Sequence, residues 1–342
     1  MKFYEITICP LSGFGTTLKG DTLFGHFCWQ VAYDPSLVDG GLEYVLSVYD
    51  ERPFAVFSSV FPKLGKESVQ YVLKRPDIPL SWLFPSDENS GEEHYKKMKE
   101  NKIKQWMLLD ENLKIDLADA WFLNDEKLLN EVTAVTTKKT RKIIEAAEYE
   151  SFISHFSQPH NTINRLTQTT GDDNFAPYAK ENIYYYPGTK LVLFVLIDEN
   201  MTGIDQIRKG LENIGRFGFG RDASIGLGRF AICESNEINV AVPKDANACY
   251  LLAPCVPEKN RFKKMYFTPF IRFGKHGDRL ANAGNPFKNP VVMADEGAVF
   301  IPNDKGVFDK PYVGMAVTGV SKAKPSSVVQ GYAPYLPLKL EH

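Results

Sequence analysis

The sequence predicts an α+β protein whose N-terminal part follows the β-α-β-β-α-β order of a ferredoxin-like (RRM-like) fold, joined to a smaller β-rich domain. Three observations carry this expectation. Runs with strand and helix periodicity alternate in that order up to Asn239. A glycine-rich loop separates the second helix from the strand that closes the pattern. Beyond Asn239 only short strand-like runs occur, punctuated by glycine and proline.

Phe3 to Ile8 is the first strand-like run, followed by a turn at Ser12-Gly13-Phe14-Gly15. A helix is expected from about Thr22, with Asp21 as N-cap and Leu23, Phe27 and Val31 forming one apolar face. Phe54 to Val60 reads as the second strand. From roughly Pro85 to Tyr149 the composition turns polar and helical, which predicts an insertion. Its lysine run (Lys96, Lys97, Lys99, Lys102, Lys104) reads as a solvated helix face. Lys190 to Ile197 is a continuous apolar block, as in a buried strand, and Ile204, Ile207, Leu211 and Ile214 share one face of the helix after it. The glycine-rich loop comes next, and a strand begins at Arg229. Tyr250–Leu252, Met265–Phe273, Ala298–Ile301 and Tyr312–Val317 are the later strand-like runs.

With 342 residues, 44% hydrophobic and 24% charged, the chain has material for about two cores. A net charge of −2 argues against a generally basic nucleic-acid binder, but a local basic groove remains compatible with it. The five cysteines contain no C-x-x-C pair. Their apolar settings, as at Ala231-Ile232-Cys233, predict reduced core thiols in a cytoplasmic protein without a zinc site. Neither a signal peptide nor a membrane span is expected from the sequence.

Residues 215–229, GRFGFGRDASIGLGR, concentrate five glycines and three arginines around a single acid, Asp222. Glycine permits close backbone approach, free N–H groups in such a loop form an anion-binding concavity, and arginine matches phosphate with its fork. The loop therefore reads as a phosphate grip. Gly218-x-Gly220-x-x-Ala223 has the form of the dinucleotide fingerprint, but that motif follows a strand and opens a helix, the reverse of the order here. Asp172 and Asp173 resemble paired metal-binding acids, yet they lie in a threonine-rich polar stretch and read as a solvated loop; a metal-dependent nuclease is the alternative. His26, inside the first helix, reads as packing or a structural hydrogen bond, and a metal-free ribonuclease would need a histidine as general acid or base. The stretch 160–170, HNTINRLTQTT, suits sugar and phosphate contacts. The basic run 136–142 precedes it, and Phe175, Tyr178 and Tyr184 to Tyr186 follow as stacking faces. An ordinary polar loop beside a tyrosine-rich strand is an equally open reading of that stretch.

Taken together, these segments resemble the RAMP family of CRISPR-associated proteins, most closely the group that forms the fourth subunit of type III-A (Csm) effector complexes. Leu18-Lys19-Gly20-Asp21-Thr22-Leu23-Phe24-Gly25-His26-Phe27-Cys28-Trp29 is similar to the opening of that group. His160-Asn161-x-Ile163-x-Arg165-x-Thr167 resembles its arginine-centred guide-binding motif, and 215–229 its glycine-rich loop. Phe267–Phe270, Asn285–Lys288, Gly297–Phe300 and Gly331–Lys339 continue the likeness through the C-terminal part. The resemblance implies two ferredoxin-like RAMP domains, 1–238 and 239–342, the first with a thumb-like insertion at roughly 85–180. It also implies a non-catalytic, cofactor-free subunit that grips the repeat-derived 5′ tag of the guide RNA (crRNA). Such a subunit docks the large polymerase-like subunit and a backbone RAMP subunit, with no membrane or DNA contact of its own. Gly218, Gly220, Arg221, Ser224, Gly226 and Arg229 would cradle tag phosphates, with Lys19 and Gly20 lining the same surface. His160, Asn161, Arg165 and Thr167 would contact the strand, and Lys138, Lys139 and Arg141 of the basic run join this RNA-binding set. The alternatives are a RAMP endoribonuclease that processes precursor guide RNA through a histidine, and the equivalent type III-B (Cmr) subunit.

Overall fold

The computed structural model describes residues 1–65, 69–85, 92–147, 151–171 and 175–341; Asp172 and Asp173 lie outside them. In chain order the elements are β1 (Lys2–Pro10), α1 (Gly20–Tyr33), α2 (Gly41–Ser47), β2 (Ala55–Leu64), β3 (Gln70–Lys74), α3 (Leu80–Leu83) and α4 (Glu92–Ile103). There follow β4 (Trp106–Asp110), β5 (Trp121–Leu123), α5 (Asp125–Val135), α6 (Lys138–Ala147), β6 (Ile153–His160), β7 (Tyr178–Tyr185), β8 (Lys190–Ile197), α7 (Ile204–Phe217) and β9 (Phe230–Ile238). The remainder is β10 (Ala248–Leu251), β11 (Phe262–Tyr266), β12 (Pro269–Arg272), β13 (Val291–Ala294), β14 (Val299–Pro302), β15 (Tyr312–Gly314) and β16 (Tyr332–Leu338).

An antiparallel seven-stranded sheet, ordered β5-β4-β3-β2-β8-β1-β9, forms the frame. β1 and β8 are interior strands of it, and β8 is buried on both faces, which is why 190–197 reads as an unbroken apolar run. One face packs Ile6, Ile8, Leu193 and Val195 against Leu23, Phe27 and Val31 of α1 and Ile207, Leu211 and Ile214 of α7. The other face packs Phe61, Tyr71, Val192 and Phe194 against Tyr250, Leu252, Val299 and Leu336 of a second antiparallel sheet, ordered β11-β14-β10-β16-β15. The layers are thus helices, first sheet, second sheet. Glu5, buried between the sheets, is satisfied by Lys63, Tyr71 and Asn236.

Several expectations need correction. Asp21 does not cap α1: Lys19 is the N-cap residue, and Asp21, in the first turn, is bound by Arg272 through two bonds of 2.5 and 2.8 Å. The segment after Pro85 is not wholly helical. Trp106-Met107-Leu108-Leu109 forms β4, which pairs with β3 and extends the main sheet, because an apolar run inside a polar segment finds burial at a sheet edge. α4 buries none of its residues, so the lysines along it face solvent. Cys9 and Cys233 are not reduced core thiols but a disulfide across β1 and β9. β9 is the edge strand, and Cys233 is exposed on it; strand alternation, not the apolar neighbour Ile232, decides its side. The thiols of Cys28, Cys249 and Cys255 are free. Past residue 239 the described residues include short 3-10 turns but no α-helix, so the second sheet lacks the two helices of a complete β-α-β-β-α-β unit.

Candidate nucleic-acid interface

The glycine-rich loop is held shut by its own backbone. α7 ends where the Gly218 N–H donates to Ile214 O at 2.8 Å, and Phe219, fully buried, turns the chain inward. The Phe219 N–H donates to Gly228 O (2.9 Å), and the Gly228 N–H donates to Gly13 O (2.7 Å). Gly218 and Gly228 lie at φ +105° and +73°. A Cβ on either would meet backbone oxygen, Leu227 O at 2.5 Å and Phe219 O at 2.1 Å.

This closure narrows the expected concavity of free N–H groups to the turn at Asp222, Ala223 and Ser224. The N–H of Gly220 donates to His26 Nε2 (3.2 Å), that of Arg221 to Thr16 Oγ1 (3.0 Å) and that of Arg229 to Ser12 Oγ (2.9 Å). Those of Ile225, Gly226 and Leu227 are satisfied within the turn. The glycines serve the tight fold, which presents that short turn together with the exposed side chains around it. Arg229 is exposed and makes no ion pair among the described residues, and Ser224 and Gly226 are exposed at the turn. Arg221 is half-exposed and reaches Glu181 O at 2.5 Å and Asp222 at 3.2 Å, while Lys180 bonds Asp222 at 2.8 Å.

Glu181 and Lys180 belong to β7, so the loop braces the β6–β7 hairpin. The bridge between Phe14 and Ile183 fixes the base of that hairpin, and His160 pairs with Tyr178 at its tip. His160 is stacked on Tyr178 with centroids 5.3 Å apart. Asn161, Arg165 and Thr167 are exposed in the tip loop, beside the exposed apolar side chains of Ile163 and Leu166. The tip lies about 10 Å along the strand from the contact with Arg221. Two motifs far apart in sequence thus share one ridge.

Other expected site residues are not brought there. The Lys19 side chain is 12% exposed, and its ammonium is held by Asp295 at 2.5 Å and Glu296 at 2.6 Å. Gly20 is buried, with room for no Cβ against Phe57 O (2.3 Å). Both are corrections: the pair joins α1 to the second sheet and does not line a ligand surface. Arg141 caps the C-terminus of α5 through Thr133 O (3.1 Å), leaving Lys138 and Lys139 exposed on α6.

A cleft of about 550 Å³ opens beside the loop. Thr16, Gly220 and Arg221 line it with Thr22, His26 and Trp29 of α1, and with Arg272, Phe273, Lys275, His276 and Lys288 from the segment around the β12–β13 hairpin. The one acid among the described residues of this lining, Asp21, is paired with Arg272. A larger cleft of about 780 Å³ at the β1–β9 edge is lined by Glu237 and Asp309 against one lysine, Lys2, and is the poorer match to an anion. Arg272, Lys275 and Lys288 have no site role in the sequence reading, although Arg272-Phe273-Gly274-Lys275-His276-Gly277 repeats the basic and glycine pattern of 215–229.

His26 links α1 to the loop. Burial lowers its pKa from 6.5 to about 4, so at neutral pH the ring is uncharged and its Nε2 accepts from Gly220. Because the folded pKa lies below the unfolded one, this group's contribution is intact above pH 6.5 and is lost as pH falls from 6.5 to about 4. The drop in melting temperature between pH 7 and pH 4.5 is accordingly expected to be larger for the wild type than for His26→Gln. Equal drops would show that His26 stays uncoupled from the fold.

No family model and no curated protein matches this sequence. Solved structures do share its fold. A chain of a Csm1–Csm4 cassette in complex with AMPPNP aligns with TM-score 0.54 at 17% identity, covering 100% of this chain and 98% of that one. A chain of the cassette with pppApA gives 0.53 at 17% identity and the same coverage. A chain of the Csm3–Csm4 subcomplex of the type III-A CRISPR-Cas interference complex gives 0.51 at 15% identity, covering 99% of this chain and 100% of that one. Each of these alignments covers 99% or more of this chain.

Proposed function

We propose that this chain is an RNA-binding structural subunit of a type III CRISPR effector, of the III-A kind, that grips the 5′ tag of the guide RNA without cutting it. On this reading it docks the large polymerase-like subunit and a backbone RAMP subunit in the cytoplasm. The first sheet with α1 and α7 is its first ferredoxin-like RAMP domain (1–238), the β6–β7 hairpin its thumb, and the second sheet (239–342) a second domain reduced to strands. One observation carries the proposal: a basic cleft, walled by a closed glycine-arginine loop, sits beside an exposed polar hairpin tip on a fold shared with subunits of type III-A assemblies. A single strand suits this arrangement, with cations along the backbone path and Tyr178, Phe273 and Trp29 as stacking faces. The non-catalytic role is supported at the loop by His26, whose Nε2 lone pair is occupied by the Gly220 N–H.

The test is a binding titration of labelled, tagged guide RNA across salt concentrations. Wild-type protein is expected to bind the RNA and return it intact. Arg221→Ala with Arg229→Ala is expected to weaken binding by on the order of tenfold and to reduce the slope of log affinity against log salt by about 2. Unchanged affinity and slope would remove the loop from the site. Site-specific cleavage abolished by a single histidine substitution would replace the proposal with the endoribonuclease.

A further inference from the structure

The basic cleft does not end at α1. It runs into a second cavity of about 300 Å³, and Gly25, Trp29, His276, Lys288 and Val328 line both. The second cavity differs in chemistry. Leu42 and Leu46 of α2 close it on one side and Leu280 on the other, the Trp29 indole forms part of its wall, and Arg279 and Lys324 stand at its rim. Its volume lies at the low end of the small-ligand range, room for one ring system rather than a peptide segment.

Lys288 stands at the junction. The Lys288 N–H donates to Gly274 O (2.8 Å), and the aliphatic stem lies against Gly274, so the residue is positioned by backbone. Its ammonium makes no ion pair among the described residues, although burial works against its charge and lowers its pKa. The contrast with its neighbours is direct: Lys19 has two carboxylates and Arg272 has Asp21. Among the described residues the only carboxylate that acts on Lys288 is Asp21, already bound to Arg272, and a part-buried cation without a carboxylate of its own costs free energy unless something supplies one.

We propose that this cavity is a base-accepting slot, in which one unstacked nucleobase of the bound RNA lies against Trp29 while its phosphate meets Lys288. The proposal rests on the RNA-binding reading and adds to it a place where the strand is held by a base rather than by its backbone. Phosphate contacts set affinity at every position alike, whereas an enclosed aromatic wall makes one position matter more than the others.

The full-length protein is titrated with tagged guide RNA and with a series in which each position in turn is abasic; free nucleoside monophosphates form a separate arm. One abasic position is expected to bind about tenfold more weakly than the rest. That penalty is expected to vanish in Trp29→Ala and in Lys288→Met and to return in Lys288→Arg, with melting temperatures reporting that each variant folds. Intact RNA is expected to quench the part of the tryptophan fluorescence that Trp29→Phe removes. Uniform binding of every abasic RNA, or a penalty that persists in Trp29→Ala, would overturn the slot and leave RNA binding standing. Quenching by nucleoside monophosphates together with uniform abasic binding would overturn it in favour of a free-nucleotide site. If no RNA binds at all, the RNA-binding reading fails and the slot with it.

Discussion

Lys19→Ala is expected to destabilise the protein by about 3–5 kcal/mol while leaving the salt dependence of RNA binding unchanged. The Lys19 side chain is 12% exposed, and its ammonium holds Asp295 and Glu296 at 2.5 and 2.6 Å, with the Phe270 ring centroid 4.7 Å away. Burial opposes its charge, yet Glu296 and Asp295 together keep its pKa above the ordinary lysine value. Removing the cation leaves two carboxylates facing each other in a site where burial already raises the pKa of Glu296. It also unfastens the N-terminus of α1 from the turn before β14. A thermal melt measures the loss, and a triple variant, Lys19→Met with Asp295→Asn and Glu296→Gln, is expected to recover much of it, because a buried ion cluster is replaceable by neutral groups of similar shape. A salt slope reduced by about 1 with stability intact would instead make Lys19 a phosphate contact.

That outcome marks where the sequence stops being informative. β1, β8, α1 and α7 were legible because their periodicity is local and their apolar faces are the core itself. The glycine-rich loop was legible as a special segment, but its meaning changed. Its N–H groups meet Gly13, Thr16, Ser12 and His26, which lie some two hundred positions away in sequence, and nothing local announces those partners. The same holds for Lys19, whose carboxylates sit at 295 and 296, and for Cys9 with Cys233. A lysine beside a glycine before a helix looks like a phosphate contact until the tertiary fold delivers two acids to it. Arg272, Lys275 and Lys288 were missed for the converse reason. They fall in segments read for strand periodicity or for overall likeness and not for charge, and their cationic character gains meaning once the β12–β13 hairpin faces α1.

Gly228→Ala is expected to disable the candidate interface from within, lowering RNA affinity by on the order of tenfold or more and stability by at least about 2 kcal/mol. The methyl group would lie 2.1 Å from Phe219 O and 2.4 Å from Phe219 N, both backbone atoms of the turn that pairs with Gly228. No rotamer relieves such a contact, and φ +73° adds the left-handed penalty to it. The loop must open, which breaks the bond from Phe219 to Gly228 O and shifts Arg221 and Arg229 together. Gly226→Ala is the matched control: φ is +97°, so the strain is similar, but the space around a Cβ there is empty. Its expected cost is about 1–2 kcal/mol with RNA binding nearly retained. Amide hydrogen exchange at Phe219 separates the two mechanisms, since its N–H is protected only while the loop is closed on Gly228 O. Fast exchange in Gly228→Ala, with Gly226→Ala still protected, would tie RNA affinity to loop closure rather than to the arginines alone. A Gly228→Ala protein with wild-type protection and affinity would mean that the closed loop is not what presents them.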